Sequence, residues 1–167
     1  SDTTDAYNTA VGYSAGAAVT TAIKNTLVGG LAGDAITTGG NNTVLGYDAL
    51  GANTIGNSNV AIGKDAMKTN VAADKNVAVG LGALQSMTSA TTADTYNIAV
   101  GYQAGAVVTT GNLNTIVGGL AGDALTEGNN NVAIGYLALS AETLGDRNVA
   151  IGNSALGVQN NTSDVDS

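Results

Sequence analysis

The side chains best suited to recognising a ligand are four tyrosines, each of which follows a glycine: Tyr13, Tyr47, Tyr102 and Tyr136. An exposed aromatic ring can stack on a sugar ring, so these tyrosines are candidates for a glycan-binding surface. The alternative is packing, in which each ring covers a glycine, such as Gly30 or Gly119, in the adjacent repeat. The residues alone leave both interpretations open.

Catalytic chemistry has few candidates in this chain. Histidine and cysteine are absent, which removes the usual general base and thiol nucleophile. The acidic residues lie in the expected turns and at the seam between the two halves of the chain, without a recurring catalytic pair and without a calcium-loop pattern. They include Asp34, Asp65, Asp94, Asp123, Glu142 and Asp146. We therefore expect no enzymatic activity, no cofactor and no metal site.

The composition is unusual for an ordinary globular core. Phe, Trp and Pro are absent, 24 of the 167 residues are glycine, and the apolar content of 44% comes mainly from Ala, Val, Ile and Leu. Any interior must therefore be narrow and filled by small side chains. The net charge of −8, with only five Lys and Arg, argues against binding nucleic acid. No apolar run is long enough to span a bilayer, so membrane insertion is not expected.

A repeat of 17 residues organises the chain. The pattern Asn, β-branched residue, small or aliphatic residue, Val/Ile/Leu, Gly occurs nine times, with one step of 21 residues between the fifth and sixth copies. The copies begin at Asn8, Asn25, Asn42, Asn59, Asn76, Asn97, Asn114, Asn131 and Asn148. We call each copy a rung and number its positions from the asparagine.

Each rung is predicted to contain a short β-strand. Positions 2 and 4 share a face and are mainly Val, Ile, Leu or Thr, while the glycine at position 5 ends the strand. Position 8 is always Ala, which indicates close backbone approach across a thin roll or at an axis between chains. Positions 11 and 12 predict a second, weaker strand, and Thr at position 13 with Gly at position 15 predicts a turn. Frequent glycine makes a helix unfavourable.

The asparagine at position 1 has two interpretations. Its amide oxygen could bind a ligand or metal. In stacked rungs, however, identical asparagines can bond one rung to the next, so we favour a structural role for this column.

The predicted fold is all-β, a parallel β-roll or β-solenoid of nine rungs about 43 Å long, since neighbouring strands lie about 4.8 Å apart. The chain is predicted to be a single repeat domain, residues 1–167. It consists of two tandem blocks, about 7–95 and 96–157, because residues 7–50 match residues 96–139 at an offset of 89. A looped insertion near 86–95 marks the seam, and residues 158–167 form a tail.

The repeat resembles those of known attachment proteins. Asn-Val-Ala-Ile-Gly at Asn59 and Asn148, followed three residues later by Ala, is similar to the head repeats of YadA-like trimeric autotransporter adhesins. The longer form, Asn-Ile-Ala-Val-Gly-Tyr-Gln-Ala-Gly from Asn97, resembles repeats of phage tail fibres even more closely. The resemblance implies a left-handed parallel roll, three identical chains side by side, and attachment to a host-surface glycan or protein. It also implies a location on a virion tail fibre or at a cell surface.

Two departures from the adhesins bear on origin. The 17-residue unit is longer than theirs, and the sequence has no coiled-coil neck or membrane anchor, which favours a tail fibre over a bacterial adhesin head. A homotrimer also suits the composition, because a narrow rung of small side chains needs a second face buried between chains.

Two further classes are weaker alternatives. A hexapeptide-repeat acyltransferase would show its aliphatic motif about every six residues and would need a catalytic histidine. An ice-binding solenoid is suggested by the Thr column at position 13, but that column is a single, interrupted rank.

Overall fold

In the computed structural model, residues 6–89 and 93–160 are described, and within them the chain is an all-β solenoid of nine strands and about eight turns, without helix. The strands are β1 (Thr9–Val11), β2 (Thr26–Val28), β3 (Thr43–Leu45), β4 (Val60–Ile62), β5 (Val77–Val79), β6 (Ile98–Val100), β7 (Thr115–Val117), β8 (Val132–Ile134) and β9 (Val149–Ile151). They form one parallel sheet in chain order. The predicted solenoid and its strand positions are confirmed.

The pairing register follows the repeat without slippage. Thr9 pairs with Thr26 and Thr26 with Thr43, so equivalent positions stack directly above one another. At the seam, β5 pairs with β6 in the same register, Val77 opposite Ile98, despite the four extra residues. The predicted tail 158–167 and the insertion near 86–95 lie partly outside the described residues.

Position 3 is the strand position that faces inward. From Leu27 to Ala150 every residue at this position is buried, whereas positions 2 and 4 are exposed or half-buried in every strand. Successive strand side chains point to opposite faces, so burying position 3 turns positions 2 and 4 outward. These β-branched residues share a face, as predicted, and that face is the outside of the single chain.

The Ala column at position 8 lies in the interior. Ala32, Ala66 and Ala121 have no exposed surface, and the same holds for the other members of the column between the terminal rungs.

Next to the Ala column, the core is filled in two ways. Four "glycine rungs" have Gly at position 9 and Val, Ile or Leu at position 12, and five "leucine rungs" have Leu or Met at position 9 and a different residue at position 12. The glycine rungs are 1, 2, 6 and 7, and the leucine rungs are 3, 4, 5, 8 and 9.

The prediction of a second strand at positions 11 and 12 is wrong. Each described rung has one three-residue strand, and the remainder is a sequence of turns. The turns still bond between rungs, for example from Ala18 N–H to Asp34 O at 2.9 Å and from Ala52 N–H to Lys68 O at 2.9 Å. Ladder bonding continues, but left-handed residues such as Leu50, at φ +52°, interrupt the extended backbone that a strand requires.

Glycine at position 5 is required for two reasons. Gly63 has φ +128°, a conformation that residues with side chains rarely adopt. A Cβ at this position would also collide with the carbonyl oxygen of Gly80, the corresponding glycine of the next rung. The column therefore lets the rungs approach closely where the chain leaves the strand.

Candidate functional site

The surface most suited to recognition is the outer face, which we define as positions 2, 4 and 6 together with the residue that precedes each asparagine. No described residue of this face is buried. Position 4 is aliphatic in every rung, position 2 is Val or Ile in five rungs and Thr in four, and several side chains are strongly exposed, including Val11 at 58%, Leu45 at 48% and Ile151 at 66%. Exposed apolar surface of this kind is typical of interaction sites on folded proteins.

Charge is distributed unevenly around the rod. Four of the five basic residues lie on the outer face, namely Lys24, Lys64, Lys75 and Arg147. No rung carries Asp or Glu at an outer-face position, although the chain has 13 acidic residues. The acidic side chains of the described residues lie outside this face, and in the turns Lys68, the fifth basic residue, bonds Asp48 at 2.7 Å and Asp65 at 3.4 Å. The hydrogen bond and charge of Asp48 raise the pKa of Lys68.

The four candidate tyrosines all lie in one column on the outer face, at position 6 of rungs 1, 3, 6 and 8. Tyr13 is 82% exposed, and Tyr47, Tyr102 and Tyr136 are 52–54% exposed. The ring of Tyr47 lies against Gly30 of the preceding rung, where a Cβ would sit 3.4 Å from Cδ2 of the ring. Tyr136 covers Gly119 in the same way, at 3.5 Å. Packing on glycine and exposure to solvent therefore coexist in these rings.

A second group of aromatic and charged side chains occurs at the seam, on the opposite margin of the outer face. The Lys75 ammonium donates to Asp94 Oδ2 at 2.6 Å, and the Tyr96 hydroxyl donates to the same oxygen at 2.9 Å. These two hydrogen bonds, that of Lys75 first, lower the pKa of Asp94. Lys75 also lies 5.2 Å from the centre of the Tyr96 ring.

The asparagines at position 1 form a continuous internal ladder. The backbone N–H of each asparagine donates to Oδ1 of the asparagine one rung earlier, as from Asn25 to Asn8 at 2.8 Å and from Asn59 to Asn42 at 2.9 Å. Most side-chain amides also bond a carbonyl 14 residues on, as Asn59 does with Ala73 at 2.8 Å. From Asn25 to Asn148 the column is buried, so these amides are occupied in holding the rungs together.

A second side-chain ladder was not predicted from the sequence. It lies two residues before the position-1 asparagines, where Asn57 Oδ1 accepts from Gly40 N–H at 2.8 Å and Asp74 Oδ1 accepts from Asn57 N–H at 2.6 Å. Asn129 and Asp146 repeat it in the second block. The available signal was the clustering of Asn and Asp at this position, which the interpretation as generic turn chemistry did not use.

The threonines at position 13 are also engaged between rungs. The Thr37 hydroxyl donates to Thr54 O at 2.9 Å, and the Thr126 hydroxyl donates to Thr143 O at 2.9 Å. A rank of hydroxyls whose protons are used internally is a poor template for ice, which requires hydroxyls that face water.

The acidic candidates are dispersed. Asp34, Asp65 and Asp123 lie in the turns, Asp94 at the seam, and Glu142 inside the eighth rung, where Oε1 accepts backbone N–H groups of Thr143, Leu144 and Gly145. Within residues 6–89 and 93–160, no group of three or more acidic, His or Cys side chains could hold a metal ion.

An open recess of about 230 Å³ is lined by Glu127, Asn129, Leu144 and Asp146. Over the described residues, no helix is long and apolar enough to cross a membrane.

Comparison with protein-family models, curated proteins and solved structures finds no match to the chain.

Proposed function

We propose that the chain is a non-enzymatic structural and attachment segment of a phage tail fibre. Three copies wind side by side as left-handed rolls, and the rod binds a host-surface glycan or protein, or presents a neighbouring segment that does. The protein is thus located on the virion. The proposal rests on the resemblance of the repeats and, most directly, on the aliphatic outer face.

The aliphatic outer face supports association with further copies of the chain. The interior of each rung is already filled by its own Ala, Leu and Ile side chains, so the outward Val, Ile and Leu residues add nothing to the single-chain core. Leaving them in water forgoes roughly 25 cal/mol for each Å² of apolar surface. Packing them against another copy recovers that free energy.

The size of the outer face is adequate for such contacts. Nine rungs extend about 43 Å, and the strip from the preceding residue to position 4 is about 15 Å wide, giving on the order of 600 Å², while the position-6 column lies at the margin of this strip and stays in solvent. An ordinary specific interface buries about 800 Å² on each partner, so the strip is of the right order. The face carries no carboxylate, and its four cations, Lys24, Lys64, Lys75 and Arg147, lie at its two margins, where they can stay hydrated when the aliphatic centre is buried.

Sedimentation equilibrium of the purified chain tests the association. We expect a trimer at micromolar concentration, and Leu45→Asp with Ile134→Asp should reduce the mass to that of a monomer while the circular dichroism spectrum is retained. Ile55→Asp is the matched control, because Ile55 is 36% exposed but lies in a turn outside the outer face. A monomeric unmodified chain would overturn the trimer.

A glycan array tests attachment. The unmodified rod is compared with a variant in which Tyr13, Tyr47, Tyr102 and Tyr136 are replaced by Ala. We expect bound glycans to lose their signal in the variant. Equal signals from the two proteins would show that the tyrosines only pack on glycine. The absence of any signal from the unmodified rod would show that it is a spacer.

A further inference from the structure

We propose that the position-6 column is a linear track for one extended acidic polysaccharide, which lies along the rod with about one sugar opposite each rung. This inference rests on the proposed attachment function and specifies its ligand. The column runs Tyr13, Gly30, Tyr47, Lys64, Leu81, Tyr102, Gly119, Tyr136, Asn153 from rung 1 to rung 9.

The spacing of the rings supports an extended polymer. Because rungs stack about 4.8 Å apart, Tyr13 and Tyr47 are separated by about 10 Å, Tyr47 and Tyr102 by about 14 Å, and Tyr102 and Tyr136 by about 10 Å. One rung is close to the advance of one sugar along an extended glycan chain. A chain parallel to the rod therefore brings a sugar over every tyrosine without bending, whereas a single terminal sugar could reach only one ring.

Two of the rings are held ready for stacking. Gly30 has no side chain, so the ring of Tyr47 lies against the backbone on one side and stays 54% exposed. Gly119 holds Tyr136 in the same way. A ring fixed before the ligand arrives loses little conformational entropy on binding.

The two blocks provide an internal comparison. Tyr-Gly-Tyr occurs at position 6 of rungs 1 to 3 and again of rungs 6 to 8, within two blocks that match over most of their length. At the adjoining position 7, Ser14 of the first block corresponds to Gln103, and Asp48 corresponds to Leu137. The duplicated triplets lie five rungs apart, about 24 Å, and a polymer long enough to reach both gains from divalent contact.

Charge complementarity favours an acidic polymer. Lys64 lies in the column between Tyr47 and Leu81, its side chain is 59% exposed, and its ion pair with Asp65 is long at 3.6 Å. No carboxylate occupies the outer face in any rung, although the chain carries a net charge of −8. A carboxylate or sulfate on the passing sugar would therefore meet the Lys64 cation, which it would share with Asp65 at the adjoining position 7, and would meet no carboxylate of the outer face itself.

Affinity electrophoresis tests the track. The intact rod is run through gels that contain polygalacturonate, alginate or hyaluronan, and through matched gels with neutral dextran or xylan. We expect at least one acidic polymer to retard the rod and the neutral polymers to have little effect. If no acidic polymer retards it, or neutral polymers retard it equally, the proposal is overturned.

Ligand length and side-chain variants sharpen the test. For the polymer that binds, we expect the affinity to rise about tenfold or more between the disaccharide and the octasaccharide, as further rings are engaged. Tyr47→Ala with Tyr136→Ala should lower it about tenfold or more, and Lys64→Gln should lower it less, with the Lys64 effect lost in high salt. Tyr7→Ala is the control, because Tyr7 is 70% exposed but lies outside the column.

The outcomes separate this inference from the proposed function. Affinity that saturates at a disaccharide, with the same loss in the tyrosine variant, would reject the track and retain attachment. Length-dependent binding by a monomeric rod would retain the track and reject the trimer. Thermal melts of each variant distinguish lost binding from lost folding.

Discussion

Glycine rungs and leucine rungs fill the same interior from two different positions of the rung. In glycine rungs 2 and 7, position 9 is Gly33 or Gly122 and the core is filled from position 12 by Ile36 or Leu125. In leucine rungs 4 and 8, Met67 or Leu139 fills the core from position 9, and position 12 is Asn70 or Glu142. The φ angle at position 9 is about the same in both kinds, +54° at Gly33 and +52° at Leu50 of rung 3. The backbone therefore accepts either arrangement, and side-chain volume decides between them.

The shift of the core side chain from position 12 to position 9 also explains why polar residues occur inside leucine rungs. In rungs 4 and 8, where position 9 is occupied by Met67 or Leu139, the side chain at position 12 turns to the backbone three residues on. Asn70 Oδ1 accepts from Ala73 N–H at 2.9 Å, and Glu142 Oε1 accepts from Gly145 N–H at 2.8 Å. A buried polar group is tolerated when its hydrogen bonds are made, so these residues cap the turn instead of filling the core.

The largest effect is expected from converting one kind of rung into the other in two steps. Leu125→Asn alone removes a fully buried side chain and should cost about 3–5 kcal/mol of unfolding free energy. Gly122→Leu alone overpacks the same rung and should cost about 1–3 kcal/mol. The double variant reproduces a leucine rung and should be more stable than Leu125→Asn. Urea denaturation of the four proteins gives the coupling energy.

Leu45→Asn is the control for this cycle, because Leu45 is on the outer face and 48% exposed. It should couple weakly to Gly122→Leu. A double variant whose cost equals the sum of the two single costs would show that positions 9 and 12 are independent.

A smaller effect on stability is expected at position 12 of two leucine rungs, rung 3 with Asn53 and rung 4 with Asn70. Asn70 bonds Ala73 through both amide atoms, whereas neither amide atom of the buried Asn53 has a hydrogen-bond partner. Asn70→Leu should therefore destabilise by about 1–3 kcal/mol, because Ala73 N–H is left unpaired. Asn53→Leu should change stability much less. Equal losses in thermal unfolding would contradict this interpretation.

The sequence predicted the features that repeat in every rung. The period, the strand at positions 2 to 4, the turn at Gly63 and its equivalents, and the Ala column follow from residues that barely vary, although the sequence left open whether that column lies inside one roll or between chains. The second strand was wrongly predicted because Ala35-Ile36 and Val107-Val108 are β-branched or small. Their inward member fills the core from a turn, and left-handed residues at positions such as Leu50 are not marked by sequence.

Which strand positions face the interior was harder to infer than the presence of the strand. Position 3 is often Ala, as at Ala61 and Ala78, while positions 2 and 4 carry the larger aliphatic residues, so hydrophobicity alone does not identify the interior. The candidate tyrosines were found from their spacing, but their shared outward column needed the stacked register. The segregation of basic residues onto the same face became visible only when that face was defined.

The smallest predicted effect concerns position 10, where Asp occurs only in glycine rungs, as Asp34 and Asp123. Asp123 Oδ1 is buried without a hydrogen-bond partner, and burial raises the pKa of this carboxyl above its ordinary value of 3.8. As pH rises through the interval above 3.8, the unfolded chain releases this proton before the folded chain does, so folding stability falls. Asp123→Asn should therefore raise Tm slightly at pH 7, and this gain in Tm should shrink as the pH falls below the ordinary pKa.

Asp34→Asn is the matched control in rung 2, where no such unpartnered buried oxygen occurs, and its gain in Tm should be smaller. A gain for Asp123→Asn that is the same at pH 3 and pH 7 would place its cause outside carboxyl burial.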